Sequence, residues 1–281
     1  MKTDDERDDE RIRAESGKPH SLSARWRRLV DLPYRRAVRS QHLPDGWKRL
    51  YCYHIRKTGG TSLNRSFMAL GGEDPRVVHE RMSASVDHRT ISGGYAFSAF
   101  DKERLAKGRY FYGWAHRPAH KQLLPPRTFT ITILRDPVER VRSYYDYLVV
   151  GDDPSMSERV SEEERELASA GFDAFLNRLP ERDLLRQLYM FSADFDVAEA
   201  VERIAACSHV HFVEDNASGV AALGRRLGLP LASRRERVTG SRTELKVDEL
   251  NRLRDLLAPE YDMMGRLRAD GIGDHPALSA E

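Results

Sequence analysis

The chain has 281 residues, of which 40% are hydrophobic and 32% charged, and its formal net charge is +2. This composition is typical of a globular protein with a substantial core, and the small net charge excludes a polycation that binds nucleic acid through its overall charge. Any specificity for an anion must therefore come from local clusters of arginine and lysine.

The two cysteines, Cys52 and Cys207, are too few for a disulfide framework, and their surroundings match no zinc-site spacing. We interpret both as buried free thiols, which fits a reducing cytoplasm. No apolar run reaches the length of a transmembrane helix, and residues 1–20 lack the apolar core of a signal peptide. The sequence therefore predicts a soluble, cytoplasmic protein with a disordered tail at 1–20.

A lead-in segment with a short helix is predicted at 21–48, followed by a single domain at 49–270 and a tail at 271–281. Within the domain, short β-prone runs alternate with helical patterns. The β-prone runs are 50–55, 109–115, 129–134 and 209–213. The helical patterns are 62–70, 137–150, 217–227, 246–257 and 260–269, together with a helical insertion at about 155–206.

This alternation predicts an α/β fold with a P-loop-like parallel β-sheet, flanked by helices on both faces, with a helical insertion and a helical C-terminus. Breaks near Gly171 and Pro180 divide the insertion into about three helices. In such folds, ligands bind beyond the carboxyl ends of the strands. The strand-to-helix loops are therefore the places to look for a site.

The first of these loops is Lys57-Thr58-Gly59-Gly60-Thr61-Ser62, between the run 50–55 and a helix. Glycines allow close backbone approach, successive N–H groups can point into one concavity, and the helix N-terminus adds partial positive charge. In the ATP-binding Walker A loop the lysine follows the glycines, whereas here it precedes them. The loop predicts an anion site that differs from that of an ordinary ATPase; a plain Gly-Gly turn with an exposed lysine is the alternative.

A second segment, Arg135-Asp136-Pro137-Val138-Glu139-Arg140-Val141-Arg142-Ser143, follows the apolar run 129–134. Arg135 can bind a phosphate through two parallel hydrogen bonds, and Ser143 lies two helical turns further along. Asp136 and Pro137 are favoured at the start of a helix. The segment therefore indicates either a second anion contact or a capped helix with solvated arginines.

Together the two segments resemble the sulfotransferases that use 3′-phosphoadenosine 5′-phosphosulfate (PAPS), particularly the branch with the heparan and other carbohydrate O-sulfotransferases. His-Ile-x-Lys-Thr-Gly-Gly-Thr-Ser, at 54–62, is similar to their 5′-phosphosulfate loop. Arg-Asp-Pro-x-x-Arg-x-x-Ser, at 135–143, is similar to their 3′-phosphate motif. The close resemblance covers about 54–147, with weaker similarity to about 214.

The resemblance implies an enzyme that moves a sulfuryl group from PAPS to a hydroxyl, with a carbohydrate or glycolipid-like acceptor and no required metal. Lys57 would contact the bridging or leaving oxygen, and Arg135 and Ser143 would bind the 3′-phosphate. The remaining loop residues would bind the 5′-phosphate: Thr58, Gly59, Gly60, Thr61 and Ser62. Arg56 is a departure, because the family commonly has proline there.

A general base is the remaining requirement, and histidine is the usual agent near neutral pH. In the family a Gly-His pair after the second strand supplies it, and Ala115-His116 stands at about that place. His120 and Glu80 remain alternatives for the base. The basic run 234–237 is either a loop over the nucleotide or a solvated charge cluster.

Three tyrosines on the predicted helix 137–150 could stack on a ligand or pack in the core. They are Tyr144, Tyr145 and Tyr147. Two other functions stay open: a P-loop kinase or phosphotransferase, for which no Walker lysine or metal-binding acid is evident, and a non-catalytic nucleotide-binding module. The sequence leaves the acceptor and the oligomeric state undetermined.

Overall fold

A computed structural model describes residues 32–40, 42–150, 161–234 and 242–274. Its centre is a six-stranded sheet. The strands are β1 (Arg49–Tyr53), β2 (Arg89–Ser92), β3 (Tyr95–Ala99), β4 (Tyr112–Ala115), β5 (Thr128–Leu134) and β6 (His209–Phe212). Their order across the sheet is β2-β3-β4-β1-β5-β6, so β1 lies between β4 and β5.

The sheet is parallel, as predicted, except at one edge. β3, β4, β1, β5 and β6 run parallel, whereas β2 pairs antiparallel with β3. Neither β2 nor β3 was predicted. The two strands are joined by Gly93 and Gly94, both with positive φ (51° and 83°), as a tight hairpin turn requires.

Helices connect and cover the strands. Before the insertion they are α1 (Leu32–Ser40), α2 (Gly60–Met68), α3 (Pro75–Ser83), α4 (Lys102–Lys107) and α5 (Pro137–Val150). In the insertion they are α6 (Glu162–Ala168), α7 (Phe172–Arg178), α8 (Glu181–Leu184), α9 (Arg186–Phe191) and α10 (Val197–Ala205). After β6 come α11 (Asn216–Leu227), α12 (Val247–Leu256) and α13 (Ala258–Ala269).

The described part of the insertion, 161–206, holds five short helices where about three were predicted. The expected breaks at Gly171 and Pro180 are present: Gly171 has a φ of 92°, and Pro180 is the N-cap of α8. A further break falls at Leu185, whose backbone is not helical, and another falls between Phe191 and Val197. The predicted tail at 1–20 and most of the tail at 271–281 lie outside the described residues.

Side chains of the sheet alternate between two hydrophobic cores, as the two-residue period of a strand dictates. In β1, Leu50 and Cys52 pack into a core with α2, α3 and α11. Tyr53 faces the other core, which α5, α7, α9, α10 and α13 cover. Helices therefore flank the sheet, as predicted. Among the described residues, no helix is long and apolar enough to span a bilayer.

Candidate active site

The three strands at the middle of the sheet bring the predicted site residues to one edge. Because β4, β1 and β5 are parallel neighbours, their carboxyl ends lie side by side. Lys57, His116 and Arg135 come shortly after β1, β4 and β5 respectively. A cleft of about 400 Å³ opens at this edge.

All but one of the predicted binding and catalytic residues line the cleft. These are Lys57, Gly59, Gly60, Thr61, Ser62, His116, Arg135 and Ser143. Thr58 is instead 1% exposed, and its hydroxyl donates to the Ile55 carbonyl at 3.0 Å within the same loop. The position of Thr58 is therefore that of a residue that shapes the loop.

The loop is held in a conformation that few side chains favour. Lys57 has a φ of 69° and Gly59 a φ of 83°, both in the left-handed region. The N–H groups of Ser62 and Leu63 donate to the Gly59 carbonyl at 3.0 and 3.3 Å, and α2 begins at Gly60. Gly60 and Thr61, at the start of α2, line the cleft, and the first N–H groups of a helix have no partner within the helix.

Position 60 has room only for glycine, because the side chain of His54 lies close to its backbone. A Cβ at Gly60 would lie 2.0 Å from Cδ2 of His54. The adjacent Gly59 is nearly as confined, since its Cβ would lie 2.9 Å from Cγ2 of Val213. Both glycines therefore let the loop pass close to a side chain, which is the buried His54 at Gly60 and the partly buried Val213 at Gly59.

Lys57 projects over an aromatic ring. Its Nζ lies 4.3 Å from the centre of the Tyr147 ring, within the range of a cation–π interaction. Tyr147 itself lines the cleft and is 3% exposed. Tyr144 and Tyr145 instead pack against Phe175 in the core, so only Tyr147 of the three tyrosines reaches the cleft in the described residues.

Arg135 connects the second motif to the first. Its guanidinium donates to the Lys57 carbonyl at 3.0 Å, although the two residues are 78 positions apart. Burial lowers the pKa of Arg135, and the carboxylates of Glu139 and Glu214 act in the opposite direction. An arginine with its ordinary pKa above 12 keeps its charge under such a shift, so the cleft has a fixed cation at this end.

Asp136 begins α5 as predicted. Its Oδ1 accepts from the Glu139 N–H at 2.9 Å, and its own N–H donates to Glu214 Oε1 at 2.9 Å. Ser143 lies further along α5 and faces the same cleft. Arg135 and Ser143 therefore line the same cleft.

His116 is 7% exposed and is anchored through one ring nitrogen. Its Nδ1 lies 2.7 Å from the backbone carbonyl of His54, and the two imidazole rings are 4.4 Å apart. Because a carbonyl can only accept, Nδ1 carries the hydrogen. In the neutral ring the basic nitrogen is therefore Nε2.

The two alternative bases are placed elsewhere. His120 packs edge-on against Tyr189 with ring centres 5.5 Å apart, and Glu80 is exposed on α3. Neither lines the cleft as far as the described residues define it. Of the three candidates, His116 is the one that lines the same cleft as the Lys57 loop.

Arg56, the residue that departs from the family pattern, lines the cleft and reaches the insertion. Its guanidinium forms an ion pair with Glu164 of α6 at 2.8 Å, and Tyr144 donates to the same carboxylate oxygen at 3.3 Å. Glu164 is 3% exposed. Arg56, which directly precedes Lys57, is thus paired with a buried carboxylate of the insertion.

Sequence reasoning missed a further wall of the cleft, formed after β6. Its residues are Val213, Glu214, Asn216, Ala217 and Ser233. Asn216 donates to the Ser233 hydroxyl at 2.9 Å, and Arg234, part of the predicted basic run, stands beside it at the cleft. The signal was available, because the run 209–213 predicts another parallel strand whose carboxyl end meets the same edge.

The described residues contain no group of three or more His, Cys, Asp or Glu side chains placed to hold a metal ion. No protein-family model matches the chain, and no curated protein is significantly similar to it.

Proposed function

We propose that this chain is a PAPS-dependent sulfotransferase that transfers a sulfuryl group to a hydroxyl acceptor. The observation that carries the proposal is that the Lys57 loop and the Arg135–Ser143 segment line a single cleft. The hydrogen bond from Arg135 to the Lys57 carbonyl joins them directly. A donor with a 5′-phosphosulfate and a 3′-phosphate carries anionic groups suited to these two motifs.

The chemistry of the cleft fits such a donor. Lys57 and Arg135 are cations, the start of α2 presents backbone N–H groups, and Thr61, Ser62 and Ser143 add hydroxyl donors. Such groups recognise phosphate and sulfate oxygens. In this proposal the P-loop-like turn binds the 5′ side, and Arg135 with Ser143 binds the 3′-phosphate.

The proposed reaction is an in-line displacement at sulfur. The acceptor oxygen forms a bond to sulfur while the bond between sulfur and the bridging phosphate oxygen breaks, and that oxygen leaves with the electron pair. His116 Nε2 takes the proton of the acceptor hydroxyl. Lys57 stabilises the negative charge that develops on the leaving oxygen.

The anchor of His116 suits the role of a base. Its Nδ1–H donates to the His54 carbonyl, so the ring is held in one tautomer and one orientation. When Nε2 gains a proton, the same carbonyl stabilises the positive charge. A carbohydrate or glycolipid-like acceptor is proposed from the resemblance of the motifs alone.

The donor assignment is tested by calorimetric titration with 3′-phosphoadenosine 5′-phosphate (PAP), ADP and ATP. We expect PAP to bind most tightly, because it alone carries the 3′-phosphate. Lys57→Ala and Arg135→Ala should each weaken PAP binding about tenfold or more, as expected for loss of a charge-assisted hydrogen bond. Lys102→Ala, which removes an exposed cation of α4, is the control. A preference for ATP, as a kinase would show, would overturn the assignment.

Catalysis is tested with radiolabelled PAPS and a panel of hydroxyl acceptors. Loss of a general base typically lowers the rate about 10²–10⁴-fold, so His116→Ala should lose turnover to that extent and still bind PAP. His120→Ala is the matched control and should keep wild-type turnover. Binding of PAP without turnover on any acceptor, together with full tolerance of His116→Ala, would instead indicate a nucleotide-binding module.

A further inference from the structure

The side-chain amide of Gln187 is hydrogen-bonded to both backbone polar groups of Arg135. Its Oε1 accepts from the Arg135 N–H at 2.8 Å, and its Nε2 donates to the Arg135 carbonyl at 2.9 Å. Gln187 lies in the first turn of α9 and is 0% exposed. The amide therefore pairs with the chain just after β5 as a neighbouring strand would, and it fixes the backbone from which the Arg135 guanidinium extends.

Glu260 of α13 holds this amide from the other side. Its Oε1 accepts from the backbone N–H groups of Gln187 and Leu188 at 2.7 and 3.2 Å. Its Oε2 accepts from Nε2 of Gln187 at 3.0 Å. Exchanging the oxygen and nitrogen of the amide would place its oxygen against a carboxylate and a carbonyl. Glu260 therefore determines which end of Gln187 faces the Arg135 N–H.

Arg140 compensates the buried charge of Glu260. The carboxylate is 0% exposed and the arginine 1% exposed, and Nε of Arg140 lies 4.0 Å from Oε2 of Glu260. Arg140 also donates to the backbone carbonyls of Asp183 and Leu184. Buried charges persist in proteins when they are paired and hydrogen-bonded. The network thus joins α5, the insertion and the C-terminal helix at the base of Arg135.

We infer that Gln187 and Glu260 are positioning residues for the 3′-phosphate, acting through Arg135. The inference rests on the proposed function, because that function gives Arg135 its ligand. A shift of the Arg135 backbone displaces the guanidinium that, in the proposed function, binds the 3′-phosphate. Two helices remote in sequence from both motifs therefore set the affinity for the donor.

The test compares PAP with ADP, which lacks the 3′-phosphate, on the full-length chain. Gln187→Met keeps the length of the side chain and removes its hydrogen bonds. We expect this variant to bind PAP about tenfold or more weakly, with a much smaller change for ADP. A purely structural loss would weaken both ligands alike. Ser192→Ala is the matched control. Ser192 is also fully buried, at the end of α9, and its hydroxyl accepts from the Asp196 N–H rather than from Arg135.

Two results would overturn the inference. One is an unchanged ratio of PAP to ADP affinity in Gln187→Met. The other is a full-sized effect of Gln187→Met in the Arg135→Ala background, because a residue acting through Arg135 has nothing further to displace there. If Gln187→Met does not fold, Glu260→Gln is measured instead. Its ratio of PAP to ADP affinity should also fall below that of the wild type, and an unchanged ratio again refutes the inference. A wild-type protein with no preference for PAP overturns the proposed function itself and the inference with it.

Discussion

The backbone of Lys57 predicts a trade-off between stability and binding. Its φ of 69° lies in the left-handed region, which costs an L-residue with a side chain roughly 1–2 kcal/mol. Replacing Lys57 by glycine removes both the ammonium group and this penalty. Replacing it by alanine removes the ammonium group and keeps the penalty. The two variants share the loss of the contact with Tyr147, so their difference isolates the backbone.

The expected difference in the free energy of unfolding between Lys57→Gly and Lys57→Ala is the balance of two opposing effects. Relief of the left-handed penalty favours Lys57→Gly by roughly 1–2 kcal/mol, whereas the greater freedom of glycine in the unfolded chain opposes it by about 0.4–1 kcal/mol. Lys57→Gly should therefore be more stable than Lys57→Ala by about 1 kcal/mol, or about 2–4 °C in melting temperature. Both variants should lose PAP affinity. Urea and thermal unfolding at neutral pH measure the difference in stability between the two variants, and calorimetry measures their affinity for PAP.

The control is an exposed position with ordinary helical backbone. Glu202 lies in the middle of α10 and is exposed. At this position the alanine variant should be more stable than the glycine variant, because glycine is about 1 kcal/mol less favourable than alanine in a helix interior. If Lys57→Gly is no more stable than Lys57→Ala while Glu202 behaves normally, the loop holds no backbone strain and the reasoning is refuted.

Two further substitutions test the packing of the loop and the charges at the edge of the sheet. Gly60→Ala should abolish tight PAP binding in calorimetry, because its Cβ would lie 2.0 Å from His54, whereas Gly265→Ala, with nothing within 4 Å, should bind as the wild type does. Wild-type affinity for PAP in Gly60→Ala would show that the loop can shift away from His54 without losing PAP binding. Burial alone would raise the pKa of Asp87, but hydrogen bonds from a neighbouring hydroxyl and guanidinium outweigh it and hold the pKa below its ordinary value. The carboxylate then stabilises the fold at neutral pH and ceases to do so as the pH falls through its folded-state pKa. Urea unfolding should show Asp87→Asn less stable than the wild type at pH 7, with a difference that shrinks as the pH falls below the ordinary aspartate pKa of about 3.9, and a constant difference would contradict the assignment.

The parts of the fold that the sequence predicted have strong local signals. The apolar runs that became β1 and β5 are each followed by helix-starting residues, Gly60 in one case and Asp136-Pro137 in the other. The strands β2 and β3 were missed because polar residues such as Arg89 and Ser98 interrupt their apolar pattern. Only their Gly93-Gly94 turn indicated a hairpin.

The site was predictable where one segment holds several of its residues. The motifs at 54–62 and 135–143 were found because spacing within a loop or a helix is a local property. Gln187 and Glu260 gave no signal, because each lies in a helical pattern and its partner is distant in sequence. A buried polar residue acquires its meaning from the residues that fold against it, and those are set by tertiary packing.

The central position of β1 has a consequence for synthesis on the ribosome. Leu50 is paired with Tyr112 on one side and with Phe129 on the other, and both partners are made much later. Until they emerge, the nascent chain carries β1 with two unsatisfied edges and the apolar side chains of Leu50 and Cys52 uncovered. Unpaired strand edges of this kind promote association between chains, so we expect fragments ending before β5 to aggregate during translation.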